Sequence, residues 1–205
     1  DIDLSVCGVE GKVVDDAGRP VAGALVRAVR SSLAGEWSRL EDAQRMFGSV
    51  LGGSTDGTAK TDQDGRFNLE GLPVEMKLVV HASASGHVSA DSEEFELSAG
   101  EIERDVRVTT PRGGTILVRV VGEGVQQPFM TVHGVFEHES PGTTAGRRLA
   151  FVAGATARLE GLQPGRWRVS FDGSDNFEAD GDGPSPGGEV VDVRPGQTVE
   201  VTLRR

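Results

Sequence analysis

The 205-residue chain has no tyrosine, one cysteine, two tryptophans and eight phenylalanines. With Cys7 alone, no disulfide can close within the chain and no thiolate metal cluster can be built. No apolar run approaches the ~18 residues that a membrane-spanning helix needs, so direct membrane insertion through a helix is not expected. Positive charge is also scarce: 21 basic residues face 32 acidic ones, for a net charge of -11. Up to residue 110 there are 20 acidic and 11 basic residues (-9), and from 111 onward 12 and 10 (-2). Such a balance repels phosphate backbones and anionic membrane surfaces, and nucleic acid is excluded as an expected partner.

What is abundant is glycine, 29 residues, together with nine prolines. They punctuate segments in which apolar and polar side chains alternate, such as 115–121, 166–171 and 198–204. Period two places one face in a core and the other in water, as in a sheet. Further strands are expected at 9–15, 21–30, 64–70, 76–83, 93–98, 102–109, 129–137, 147–152, 155–160 and 188–194. The stretch Leu4-Ser5-Val6-Cys7 has the outline of a lipoprotein cleavage box, but Asp1-Ile2-Asp3 before it is not an apolar signal region. Cys7 is therefore read as a buried or incidental side chain.

An internal repeat sets the domain count. Leu69-Glu70-Gly71-Leu72-Pro73 recurs as Leu159-Glu160-Gly161-Leu162-Gln163-Pro164, 90 positions later. An alternating strand follows each copy, and each then closes with a strand, a turn and a strand around Ser98-Ala99-Gly100-Glu101 and Arg194-Pro195-Gly196-Gln197. The reading is all-β: two tandem Ig-like or prealbumin-like antiparallel β-sandwiches, residues 1–110 and 111–205, the second of similar topology. Residues 31–59 interrupt the first. Trp37, Leu40, Phe47 and Leu51 fall at roughly helical spacing, so a short amphipathic helix is expected over 35–47, with a glycine-rich loop after it.

The first repeat resembles a known family. Gly11-Lys12-Val13-Val14-Asp15, Gly18-Arg19-Pro20-Val21-Ala22-Gly23-Ala24, Thr61-Asp62-Gln63-Asp64-Gly65-Arg66-Phe67 and Leu72-Pro73 are similar to the carboxypeptidase regulatory-like domain. The resemblance implies a transthyretin-like β-sandwich and a non-catalytic accessory module. It also implies a bacterial secreted, periplasmic or cell-surface setting, beside other domains of a larger chain or protein partners. The second repeat keeps only the later half of the pattern.

The residues themselves offer little catalytic chemistry. A carboxypeptidase-type zinc site needs a histidine with an acidic residue three positions on. After His81, His87, His133 and His138 that place holds Ala84, Ala90, Phe136 and Pro141. Each histidine is read as a strand or loop surface residue. Intradiol dioxygenases, which resemble this fold, hold iron with tyrosine as well as histidine, and there is no tyrosine here. Hydroxyisourate hydrolases end in Tyr-Arg-Gly-Ser, whereas this chain ends Leu203-Arg204-Arg205. Gly-x-Ser-x-Gly is absent too. No enzyme and no cofactor is expected.

Two binding candidates remain. Glu178, Asp180 and Asp182, with Gly183 next and Glu189 six positions beyond it, follow the oxygen-ligand spacing of a calcium loop, although Pro184 and Pro186 stiffen the segment. Trp37 is the candidate for a carbohydrate or peptide contact. Trp167 alternates in phase with Val169 and Phe171 and is assigned to the core.

Overall fold

The computed structural model describes residues 7–33, 57–122, 131–136, 147–152, 155–171 and 188–204. They fall into two compact units, one reaching to Arg112 and one starting at Gly113. Among the described residues there are fifteen strands and one helical element, a single 3-10 turn, Ser31–Leu33. The expected helix over 35–47 lies outside the described residues.

The first unit contains β1 (Gly8–Val14), β2 (Leu25–Arg30), β3 (Thr58–Lys60), β4 (Arg66–Glu70), β5 (Lys77–Ser83), β6 (Ala90–Asp91), β7 (Phe95–Glu96) and β8 (Ile102–Thr109). One sheet has the order β4-β1-β8, the other β3-β2-β5-β6 with β7 also on β5. Between them lie Val9, Val13, Phe67, Leu69 and Val108 from the first sheet and Val26, Leu78, Val80 and Ala82 from the second. Cys7 is buried with them, its Sγ donating to the Ser98 carbonyl at 3.4 Å and accepting the Gly100 amide at 3.1 Å.

The second unit contains β9 (Gly114–Val121), β10 (Thr131–Phe136), β11 (Arg147–Phe151), β12 (Thr156–Leu162), β13 (Gly165–Phe171), β14 (Glu189–Val193) and β15 (Thr198–Arg204). Its sheets run β12-β9-β15 and β11-β10-β13-β14. Strand for strand this is the order of the first unit, with β14 in the place of the broken pair β6 and β7. The repeated Leu-Glu-Gly-Leu does the same work in both. Leu69, Leu72, Leu159 and Leu162 are buried, and the glycine between each pair takes a left-handed backbone, φ 71° at Gly71 and 63° at Gly161. Trp167 fills the second core at 1% exposure. Its Nε1 donates to the Gln163 carbonyl at 2.9 Å, and its ring meets Phe136 with centroids 5.4 Å apart.

Four expectations need correction. The sheets are not purely antiparallel, because β1 pairs β8 in parallel and β9 pairs β15 in parallel. Alternation of side chains is the same in both senses, so the pattern cannot distinguish them. Thr58 and Ala59, placed in the 31–59 insertion, open the strand Thr58–Lys60, which pairs with β2. The segment 93–98 is not one strand: β6 and β7 flank a break at Ser92–Glu94, where Ser92 Oγ takes the Val80 amide at 2.9 Å. His81 is not a surface residue, being 3% exposed.

Two turns carry the family-like motif by one mechanism. In Asp15-Asp16-Ala17-Gly18-Arg19, Asp15 Oδ1 accepts the amides of Ala17 and Arg19, both at 2.9 Å. In Asp62-Gln63-Asp64-Gly65-Arg66, Asp62 Oδ1 accepts those of Asp64 and Arg66 at 2.9 and 2.8 Å. The glycine of each sits at positive φ, 76° and 73°, the left-handed step that a side-chain-stapled hairpin turn requires. Asp15 is also clamped by Arg19, whose Nε and Nη2 lie 2.8 and 2.7 Å from Oδ2. That guanidinium holds the Asp15 carboxyl below its ordinary value. Burial opposes the shift, and the Arg19 and Ala17 amides reinforce it.

Three outcomes follow from this packing. Trp167→Ala should cost about 3–5 kcal/mol in denaturant unfolding. Gly11→Ala should cost about 1–3 kcal/mol, since a Cβ there would stand 2.1 Å from the Val106 carbonyl oxygen and 2.5 Å from the Phe67 ring. For Asp15, a carboxyl pKa lowered by folding stabilises above the unfolded value near ~3.9 and loses that contribution as pH falls through the folded value. Melting curves of wild type and Asp15→Asn should therefore differ most near neutrality and converge as acidification carries the pH through the lowered folded value. A gap that persists in acid would remove the ion pair as its cause.

Candidate interaction surface

The expected site residues are not gathered in one place. Trp37, Glu178, Asp180 and Asp182 lie outside the described residues. Glu189 opens β14, is exposed, and pairs with Val169. Among the described residues no group of three histidine, cysteine or acidic side chains converges as metal ligands would. His87 is half-buried, its Nδ1 3.1 Å from the Ser85 carbonyl. His81 lies 2.6 Å through Nδ1 from Asp91 Oδ1, on the side of β5 opposite Leu78, Val80 and Ala82. A histidine–carboxylate contact inside one sheet ties β5 to β6. Among the described residues no third histidine, cysteine or acidic side chain joins them as a metal ligand would.

A broad, charged groove opens on the first unit. Strands β1, β4 and β8 and the end of β3 line a groove of about 730 Å³, with Lys12, Lys60, Arg66, Arg104 and Arg107 as its cations and Glu10, Asp62 and Asp105 as its carboxylates. A bulge in β8 shapes it. Gly8 and Val9 pair with Ile102 and Glu103, but Gly11 pairs with Val106, so β8 carries one extra residue opposite Glu10. The extra residue is absorbed at Asp105, whose φ is 61°, a left-handed conformation that aspartate tolerates better than most side chains. On the other side of β1, Gly11 gives Phe67 and the β8 backbone their close approach.

Register decides which charges stand together. Lys12 is the direct partner of Arg66 on β4 and of Arg107 on β8. Their neighbours Phe67, Val13 and Val108 point into the core, so all three cations project from the outer face. They form one row across three strands, spaced by about 4.8 Å per strand. Glu10 belongs to the next row, beside Asn68, with its Oε2 3.7 Å from Arg104 Nε. Asp62 is engaged by its own turn. Among the described residues no ion pair involves Lys12, Arg66 or Arg107. Sequence reasoning missed this surface, since positions 12, 66 and 107 are far apart in the chain and the module around them is acidic.

Comparison with known proteins gives one family and distant structural likenesses. None of the curated proteins matches the chain. Among solved structures, the Bacillus anthracis TIE protein is 16% identical with a TM-score of 0.36, the alignment covering 97% of this chain and 34% of that one. A streptococcal ancillary pilin is 13% identical with a TM-score of 0.41, covering 100% and 64%. The 3-chlorocatechol 1,2-dioxygenase of Rhodococcus opacus 1CP is 15% identical with a TM-score of 0.31, covering 55% and 62%. The chain thus spans about a third of the first and under two thirds of the other two, and likenesses this distant carry no functional argument. The model of the carboxypeptidase regulatory-like domain, in contrast, matches residues 8–111, the stretch that holds both aspartate turns, the β1–β8 pairing and the basic row. The chain belongs to the carboxypeptidase regulatory-like domain family.

Proposed function

We propose that the chain is a non-catalytic structural and interaction module: two tandem sandwiches of one topology that serve as spacer, stalk or assembly component of a bacterial secreted, periplasmic or cell-surface protein. The observation that carries this reading is the parallel pairing of the first and last strands in each unit. Gly8 aligns with Ile102 and Val14 with Thr109; Thr115 aligns with Thr198 and Val121 with Arg204. Parallel neighbours begin at the same pole, so the chain enters each unit at one pole and leaves at the other. A spacer needs that path, whereas a hairpin of terminal strands would return the chain to where it entered. Tension applied through the ends also shears the terminal pair, loading its ladder of hydrogen bonds together rather than one at a time.

Neighbouring domains of a longer chain, or separate proteins, are the partners in this reading. An accessory module that binds a ligand is the second reading, and the basic row on the first unit favours it.

Pulling single chains by their ends is the decisive experiment. Two separate ruptures are expected, each releasing roughly 30 nm of chain. A single rupture, or unfolding at negligible force, would contradict a pair of modules that each resist tension. Turnover in a broad hydrolase and oxygenase screen would contradict the non-catalytic assignment.

A further inference from the structure

The row Arg66–Lys12–Arg107 is a feature that folding alone does not explain. Like charges directly opposite one another on adjacent strands destabilise a sheet, and this row contains two such contacts, Lys12 with Arg66 and Lys12 with Arg107. The surroundings sharpen the anomaly. Up to residue 110 the chain carries 20 acidic and 11 basic residues, yet five of those eleven line this one groove. An acidic protein could have placed a carboxylate at any of the three positions and gained a cross-strand ion pair.

We propose that the outer face of β1, β4 and β8 is an anion-binding surface for an extended acidic peptide segment of a protein partner. The proposal rests on the interaction-module reading above and names the chemistry of the partner. Several observations favour a peptide over an anionic polysaccharide. Among the described residues the only aromatic ring lining the groove is Phe67, which is buried in the core and presents no platform for sugar stacking. Arg66 and Arg107 offer planar forks that match carboxylates two hydrogen bonds at a time. The cation row spans about 10 Å, and same-face residues of an extended peptide recur every ~6.6–7 Å, so carboxylates at i and i+2 fall within its reach. The β8 bulge at Arg104–Asp105 leaves backbone polar groups outside the regular ladder at the groove wall, where a peptide main chain can meet them.

A surface of this kind has a signature that a structural role lacks: neutralising the central cation weakens binding while relieving repulsion. The test uses the intact chain and fluorescence anisotropy with a labelled decapeptide of alternating Asp and Thr, its Asn-Thr counterpart, and a sulfated polysaccharide as competitor. The acidic peptide should bind, more weakly as salt rises, and the neutral one should not. Lys12→Gln should weaken binding roughly tenfold. The Lys12→Gln/Arg107→Gln pair should weaken it further, with the melting temperature unchanged or raised in both. Equal binding of the two peptides, or binding indifferent to these substitutions, would overturn the proposal. So would a polysaccharide that binds this face where the acidic peptide does not. If the peptide fails but the two ruptures under force are still seen, the peptide surface is wrong and the spacer reading stands.

Discussion

The pairing of each unit's first strand with its last is the constraint from which the remaining architecture follows. Parallel neighbours cannot be joined by a tight turn and need a crossover. Here the crossover is the rest of the unit: the second sheet, β3-β2-β5-β6 or β11-β10-β13-β14, is built entirely from residues between the two paired ends. Because the middle strand of the three-stranded sheet is the one that starts the unit, it is hydrogen-bonded on both sides and central to the core. Val9, Val13, Ile116 and Val118 are accordingly fully buried.

Much of this was legible in the residues, and what was not has definite physical causes. The Asp-x-x-Gly-Arg turns could be read because their geometry is local: a carboxylate, two amides and a left-handed glycine within five positions. The Leu-Glu-Gly-Leu repeat was legible for a similar reason, since the glycine and its flanking leucines must keep their spacing for both leucines to reach the core. Parallel pairing was hidden because alternation carries no direction. The three-residue β3 was hidden because a window that short shows no period. His81 was misread for want of any signal that both faces of β5 are buried.

The basic row was invisible for a deeper reason. Lys12, Arg66 and Arg107 become neighbours only through the registers of two separate strand pairs, one antiparallel and one parallel. Shifting either register by one residue would exchange the cations for Phe67 or Val108 and turn core side chains outward. The register that protects the hydrophobic core thus also assembles the charge row, and Gly11 and the β8 bulge hold that register in place. Composition pointed the other way, because an excess of acidic residues over a whole module says nothing about one face of it.

The union of first and last strands also bears on how each unit forms. Its decisive contacts join residues separated by nearly the full length of the unit, Val9 with Glu103 and Ile116 with Val199. Folding dominated by such distant contacts is slow compared with helical proteins of similar size. A chain delivered gradually, from a ribosome or through a translocation pore, therefore leaves each unit open until its final strand has emerged. The fold is committed last to the element that completes it, and until then the segment stays pliable enough to be threaded.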